Sequence, residues 1–141
     1  MKFRWEKRVV NNGNVVEVPV SLGELIDKYT ILLIKSEKIT NEEKLKNVHL
    51  ERDLLKQKID TLNLDGIEKH IAALKDVNLK LWVIEDDIRL KEKAKEFDEK
   101  FIELARAVYV TNDERFERKS DVNSAFGSEI KEVKSYEDYQ S

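Results

Sequence analysis

Apolar residues recur at helical spacing along most of the chain between residues 21 and 126. Leu22, Leu25, Ile26, Tyr29, Leu32 and Leu33 predict a first helix over about 21–39. Leu45, Val48, Leu55, Ile59 and Leu62 predict a second over roughly 41–62. Ile67, Ile71, Leu74, Leu81, Ile84 and Ile88 carry a third from about 66 to 95, and Phe101, Leu104, Ala105, Val108, Val122 and Phe126 a fourth from about 98 to 126. Helices of about 29 residues run roughly 43 Å, longer than a small globule needs. The expected fold is therefore all-α: an elongated antiparallel bundle of four helices, two of them long. The third helix also carries Leu79, Val83 and Leu90 opposite its main stripe, so it should either lie at the centre or line a subunit interface, most simply that of a homodimer.

With four Gly and one Pro, the chain's punctuation is sparse and readable. Val9-Val10, then Asn11-Asn12-Gly13-Asn14, then Val15-Val16-Glu17-Val18 predict a short N-terminal β-hairpin, stopped by Pro19. Ser21-Leu22-Gly23-Glu24 matches a capping box, in which the serine oxygen and the glutamate side chain both satisfy orphan amides of the first helix. Asn41 is placed to cap the second helix, Asp65 the third, and Gly127 to end the fourth. The division is one helical domain over 1–141: a hairpin over 1–20, a bundle over 21–126, and a polar tail over 127–141 that contains Tyr136 and Tyr139 and suggests no element.

The two long stripes are interrupted. Asn78, Trp82, Glu85 and Arg89 lie along the edge of the third helix's apolar face, and Asn112, Arg115, Lys119 and Asn123 fall on that of the fourth. An unpaired buried charge costs several kcal/mol, so such groups persist in a core only when paired with one another or with a ligand. They are the strongest site candidates. One reading is a set of interhelical salt bridges that fix register. The other is a polar pocket between the third and fourth helices, in which Arg89, Arg115 and Lys119 hold an anionic group, Trp82 or Tyr109 stacks on a ring, and Asn78 and Asn112 read its edge. The excess of cations over Glu85 in this set favours a missing anion, and then replacing Arg115 or Lys119 with Met should leave the unliganded fold as stable as before, or more so.

Composition narrows the classes. At 141 residues with 40% apolar content the chain can bury a real core, and its 39% charged residues balance to a net −3, which gives no reason to expect a nucleic-acid polymer as partner. The absence of cysteine removes thiol catalysis and disulfides. No apolar run is long enough for a membrane span and the N-terminus lacks a signal-peptide core, so a cytoplasmic protein is expected.

Four ordered blocks, VPVSLGELIDKYTILLIKSEKI at 18–39, VNLKLWVIEDDIR at 77–89, FDEKFIELARAVYVTNDERFERKSDVN at 97–123 and GSEIKEVKSY at 127–136, together resemble the domain of unknown function 6165 family. These are short proteins of bacteria, phages and other large DNA viruses, which would place a viral member in the host cytoplasm. The resemblance covers about residues 17 to 136 and brings no mechanism. It implies that Glu85, Asp86, Arg89, Asn112, Asp113, Arg115 and Lys119 belong to the family's pattern, and that the hairpin is an addition ahead of the family's usual start.

The favoured expectation is non-catalytic binding of a small anionic ligand, a nucleotide or sugar phosphate, without a cofactor. One concrete form, by analogy of class with phage proteins, is sequestration of a host nucleotide signal. A Mg-dependent nucleotide phosphohydrolase is the enzyme alternative, with Glu24, Asp27, Glu85 and Asp86 as metal ligands, and a helical protein–protein adaptor is the third. His49 and His70 read as surface residues, and Ser21 as a cap rather than a nucleophile.

Overall fold

The computed structural model describes residues 14–140. Four helices account for its regular structure: α1 (Leu22–Lys38), α2 (Glu42–Thr61), α3 (Ile67–Ala94) and α4 (Glu99–Phe126). Their ends follow the expected chemistry at most points. The Asn41 side chain accepts from the Lys44 N–H at 2.9 Å, and Asp98 does the same for Phe101 at 3.0 Å. Gly127, with φ +63°, closes α4 in the left-handed conformation that a side chain would resist. Asp65 does not cap α3: the cap position is Gly66, at φ +80°, and makes no side-chain hydrogen bond there.

The hairpin is a correction. Among the described residues there is no strand, and Val15, Val16 and Val18 are all exposed. A two-stranded ribbon is marginal in water unless one face is buried against something else, and these valines meet no core. The first strand and turn of that expectation, Val9 to Gly13, lie outside the described residues.

The central helix is α1, not α3. It packs against α2, α3 and α4, whereas α2 touches α1 alone. Its burial extends well round its circumference, including Leu25, Ile26, Asp27, Tyr29, Thr30, Leu32 and Ile34. Leu25, Ile26 and Tyr29 join Ile59, Ile67, Leu74 and Val122 in one apolar cluster, with Leu22, Leu33, Leu55, Leu64, Ile71 and Phe126 packed on it. Short α1 serves as the post on which the other helices lean.

Length then decides the rest. At 17 residues α1 spans about 25 Å, against about 42 Å for the 28-residue α3 and α4. The last buried residue of α3 is Leu81, and the only one in the first three turns of α4 is Leu104. Beyond Leu81, α3 and the first three turns of α4 continue as a two-helix hairpin. Lys91 latches its tip, pairing with Glu96 at 2.9 Å and with the α4 cap Asp98 at 2.8 Å. On its flank Val83 is 49% exposed and Leu90 63%.

Candidate ligand-binding groove

The polar residues of the apolar stripes meet where α1, α3 and α4 converge. Asp27 is 1% exposed. Its Oδ1 accepts from Asn78 Nδ2 and from Arg115 Nε, both at 2.9 Å, and its Oδ2 accepts from Arg115 Nη2 at 2.6 Å. The Thr30 hydroxyl, one turn along α1, donates to the Asp27 carbonyl at 2.7 Å and accepts from Asn78 at 3.0 Å. A buried carboxylate is tolerable only when its oxygens are occupied by donors and its charge is matched, and here both conditions hold. The hydrogen bond to Asp27 raises the Arg115 pKa above its ordinary value against the opposing effect of burial.

One turn further along α4, buried Lys119 lies between two carboxylates, Glu24 of α1 and Glu132 of the tail, each at 2.7 Å. Burial pulls its pKa down, but the bonds to Glu132 and Glu24 together outweigh that, and the net shift is upward. This contact departs from the capping-box expectation. Ser21 Oγ does accept from the Glu24 N–H at 3.1 Å, while the Glu24 side chain turns to Lys119.

The start of α1 is closed by its neighbours. Asn123 Oδ1 accepts from the Gly23 N–H at 2.7 Å, and Ser128 Oγ accepts from the Leu22 N–H at 3.2 Å while donating to the Ile130 carbonyl at 2.7 Å. With Ser21 on Glu24, the first three amides of α1 all have side-chain acceptors, so this helix start offers no free anion site. Gly23 permits the approach, because a Cβ there would stand 2.4 Å from the Lys119 carbonyl oxygen.

Beyond Ser128 the tail returns along α4. Lys134 pairs with Asp113 and stands 5.5 Å from the centre of the Phe116 ring and 5.7 Å from that of Tyr136. Tyr139 meets Tyr109 edge to face at 4.9 Å. Hydrogen bonds from Lys134 and then Tyr139 hold the Asp113 pKa below its ordinary value, and the same carboxylate raises that of Tyr139. Between tail and helix lies an open groove of about 1120 Å³, whose walls include Tyr109, Asn112, Arg115, Phe116, Lys119 and Tyr136.

The structure thus divides the expected site. Tyr109, Asn112, Arg115 and Lys119 share the groove, on the tail side of α4 rather than between α3 and α4. Asn78 and Asn123 are buried behind it, holding Asp27 and the start of α1. Trp82 is half-buried on α3 and does not line the groove. Glu85 and Arg89 pair with each other at 2.5 Å on the surface, where the Arg89 side chain is 72% exposed. The inferred excess of cations is corrected as well, because Asp27, Glu24 and Glu132 come from α1 and the tail to meet Arg115 and Lys119.

The carboxylates proposed as metal ligands do not converge. Asp27 is held by Arg115 and Asn78, Glu24 by Lys119 and Glu85 by Arg89, and Asp86 is exposed. Among the described residues no three acidic or histidine side chains come together. His49 and His70 are both half-buried, and the His70 ring stands edge-on to Phe126 at 5.7 Å.

Sequence reasoning missed the tail's share: Glu132, Lys134, Tyr136 and Tyr139. The available signal was the pair of tyrosines in the tail, of which Tyr139 rests on Tyr109 while Tyr136 stays 85% exposed.

A family model described as a family of unknown function, DUF6165, matches residues 16–141. The chain belongs to that family. Every residue of the groove and of the Asp27 network lies within the DUF6165 match. No curated protein and no solved structure matches the chain. No helix of the described residues is long and apolar enough to cross a membrane.

Proposed function

We propose that this DUF6165 protein is a non-catalytic binder of a small ring-bearing anion, a nucleotide before a sugar phosphate, and that the groove between α4 and the tail is its site. The observation that carries the reading is the groove's lining. Tyr109 and Phe116 of α4 supply rings for stacking, Asn112 can read a base edge, and the cations Arg115 and Lys119 line the groove already paired with Asp27 and with Glu24 and Glu132, so an incoming anion exchanges for a carboxylate. Sequestration of a nucleotide signal is the form of this function that needs no catalytic group. The hydrolase reading is weaker, because three of the four carboxylates it requires, Asp27, Glu24 and Glu85, are each paired with a cation and the fourth, Asp86, is exposed away from them.

Thermal denaturation with a panel of nucleoside mono- and triphosphates, ribose 5-phosphate and pyrophosphate tests the proposal. A nucleotide at a hundred times its Kd should add about 2.7 kcal/mol to the folded state and raise the melting temperature accordingly. No shift with any member of the panel overturns it.

A protein-binding role is favoured by a separate observation, the exposed Val83 and Leu90 on the α3–α4 hairpin. We propose that this stripe meets a second copy of the chain, forming a homodimer.

A further inference from the structure

From residue 129 to residue 140 the tail makes no backbone hydrogen bond to any helix. Side chains alone anchor it: Glu132 on Lys119, Lys134 on Asp113, and Tyr139 against Tyr109. The receiving positions descend α4 as the tail positions rise, so the tail runs antiparallel along one face of the helix. Its root is different in kind. Ser128 is buried and bonded to both Leu22 and Ile130, and its own N–H donates to the Asn123 carbonyl at 2.9 Å. A fixed root followed by separate side-chain anchors, each with one partner at least a third exposed, is the construction of a strap, since ion pairs that water can reach are individually weak.

We propose that the tail from residue 131 onward is a displaceable strap, in which the Glu132 carboxylate holds on Lys119 the place taken by the ligand's anionic group once Tyr139 leaves Tyr109. This rests on the groove-binding reading above and adds the regulation of that site. Lys119 already accommodates two carboxylates, so an incoming anion exchanges for Glu132 rather than joining it, and Glu24 stays in place. The ring of the ligand likewise succeeds a ring, that of Tyr139 on Tyr109. Affinity is then a difference between two occupants of one surface, and weakening the internal occupant strengthens the external one.

The test uses the full chain and its Glu132→Gln variant, titrated with adenosine triphosphate and guanosine triphosphate by calorimetry. The contact between the Tyr109 and Tyr139 rings is followed by nuclear Overhauser effects. The strap requires that the variant bind one of these nucleotides about two- to fivefold more tightly than the parent, the equivalent of one partly exposed ion pair. It also requires that the ring contact vanish at saturation in the parent. Binding with the ring contact intact, or a variant that binds no tighter, overturns the strap and leaves the groove as a site. If neither nucleotide binds parent or variant, the strap falls, and the groove reading falls with it only when the wider panel of phosphates gives no thermal shift either.

Discussion

Asp27 and Arg115, 88 residues apart in the chain, meet through a two-pronged ion pair in which Nε and Nη2 each reach a different carboxylate oxygen. The pair joins the central helix to α4 and, through Asn78, to α3. It turns the apparent fault in two hydrophobic stripes into a three-helix junction.

The first prediction follows from that junction and reverses the expectation that Met would be tolerated at Arg115. Arg115→Met strands the buried Asp27 carboxylate and should cost about 3 to 5 kcal/mol. Lys119→Met should cost less, about 1 kcal/mol, because its two carboxylate partners are half-exposed and can hydrate. Arg89→Met, on an exposed pair one turn apart, should fall below about 0.5 kcal/mol. Urea denaturation of the three variants checks the order, and equal losses would contradict the assignment.

The second prediction tests whether the pair is itself stabilising. Removing both charges, with Asp27→Leu and Arg115→Met together, should recover most of the loss seen with Arg115→Met alone, because no charge is left unmatched. If the double variant is as unstable as the sum of the two singles, the junction depends on more than charge pairing.

Gly23→Ala should destabilise the fold by about 1 to 3 kcal/mol through overpacking. Better helix propensity offsets at most about 1 kcal/mol of that. The new Cβ would press on the Lys119 backbone rather than on a movable side chain, so α1 and α4 must separate. Equilibrium unfolding gives the magnitude, and a neutral or stabilising change would show that the close approach is not rigid.

Docking of the tail should depend on pH at both extremes. The Asp113 pKa is depressed from its ordinary 3.8, so its contribution is present above that value and is lost as pH falls through the lower folded value. The Tyr139 pKa is raised from its ordinary 10.0, so its contribution is present below that value and is lost as pH rises through the higher folded one. The Tyr109–Tyr139 contact should therefore persist across neutral pH and open below about 3.8 and above about 10. A titration of the tyrosine ring resonances follows it, and opening near pH 6 would show that another group controls the tail.

The exposed stripe on the α3–α4 hairpin should be covered by a second subunit in solution. Light scattering at micromolar concentration is expected to report a dimer, and Leu90→Lys to shift it toward monomer. A clean monomer in the parent protein removes the interface.

Helix count, helix ends and most of the core are local matters, and they were legible in the chain itself. Spacing of apolar residues selects the face of each helix, and Asn41 and Gly127 act on amides within a few residues of themselves. That Asn78, Arg115, Lys119 and Asn123 would need partners was legible too, since a buried polar group without one is too costly to persist. Which partners they take was decided only by tertiary structure. Asp27 read as one of four acidic residues that could hold Mg until α3 and α4 closed around it, and Glu132 lay in a segment with no periodicity to read. Their contacts join positions 13 to 88 residues apart, and such pairings follow from how whole helices lean on one another rather than from any local preference. The central role of α1 has the same origin: a short helix lies at the centre when longer ones need a common surface to bury against, and no stretch of its own sequence says which neighbours will come.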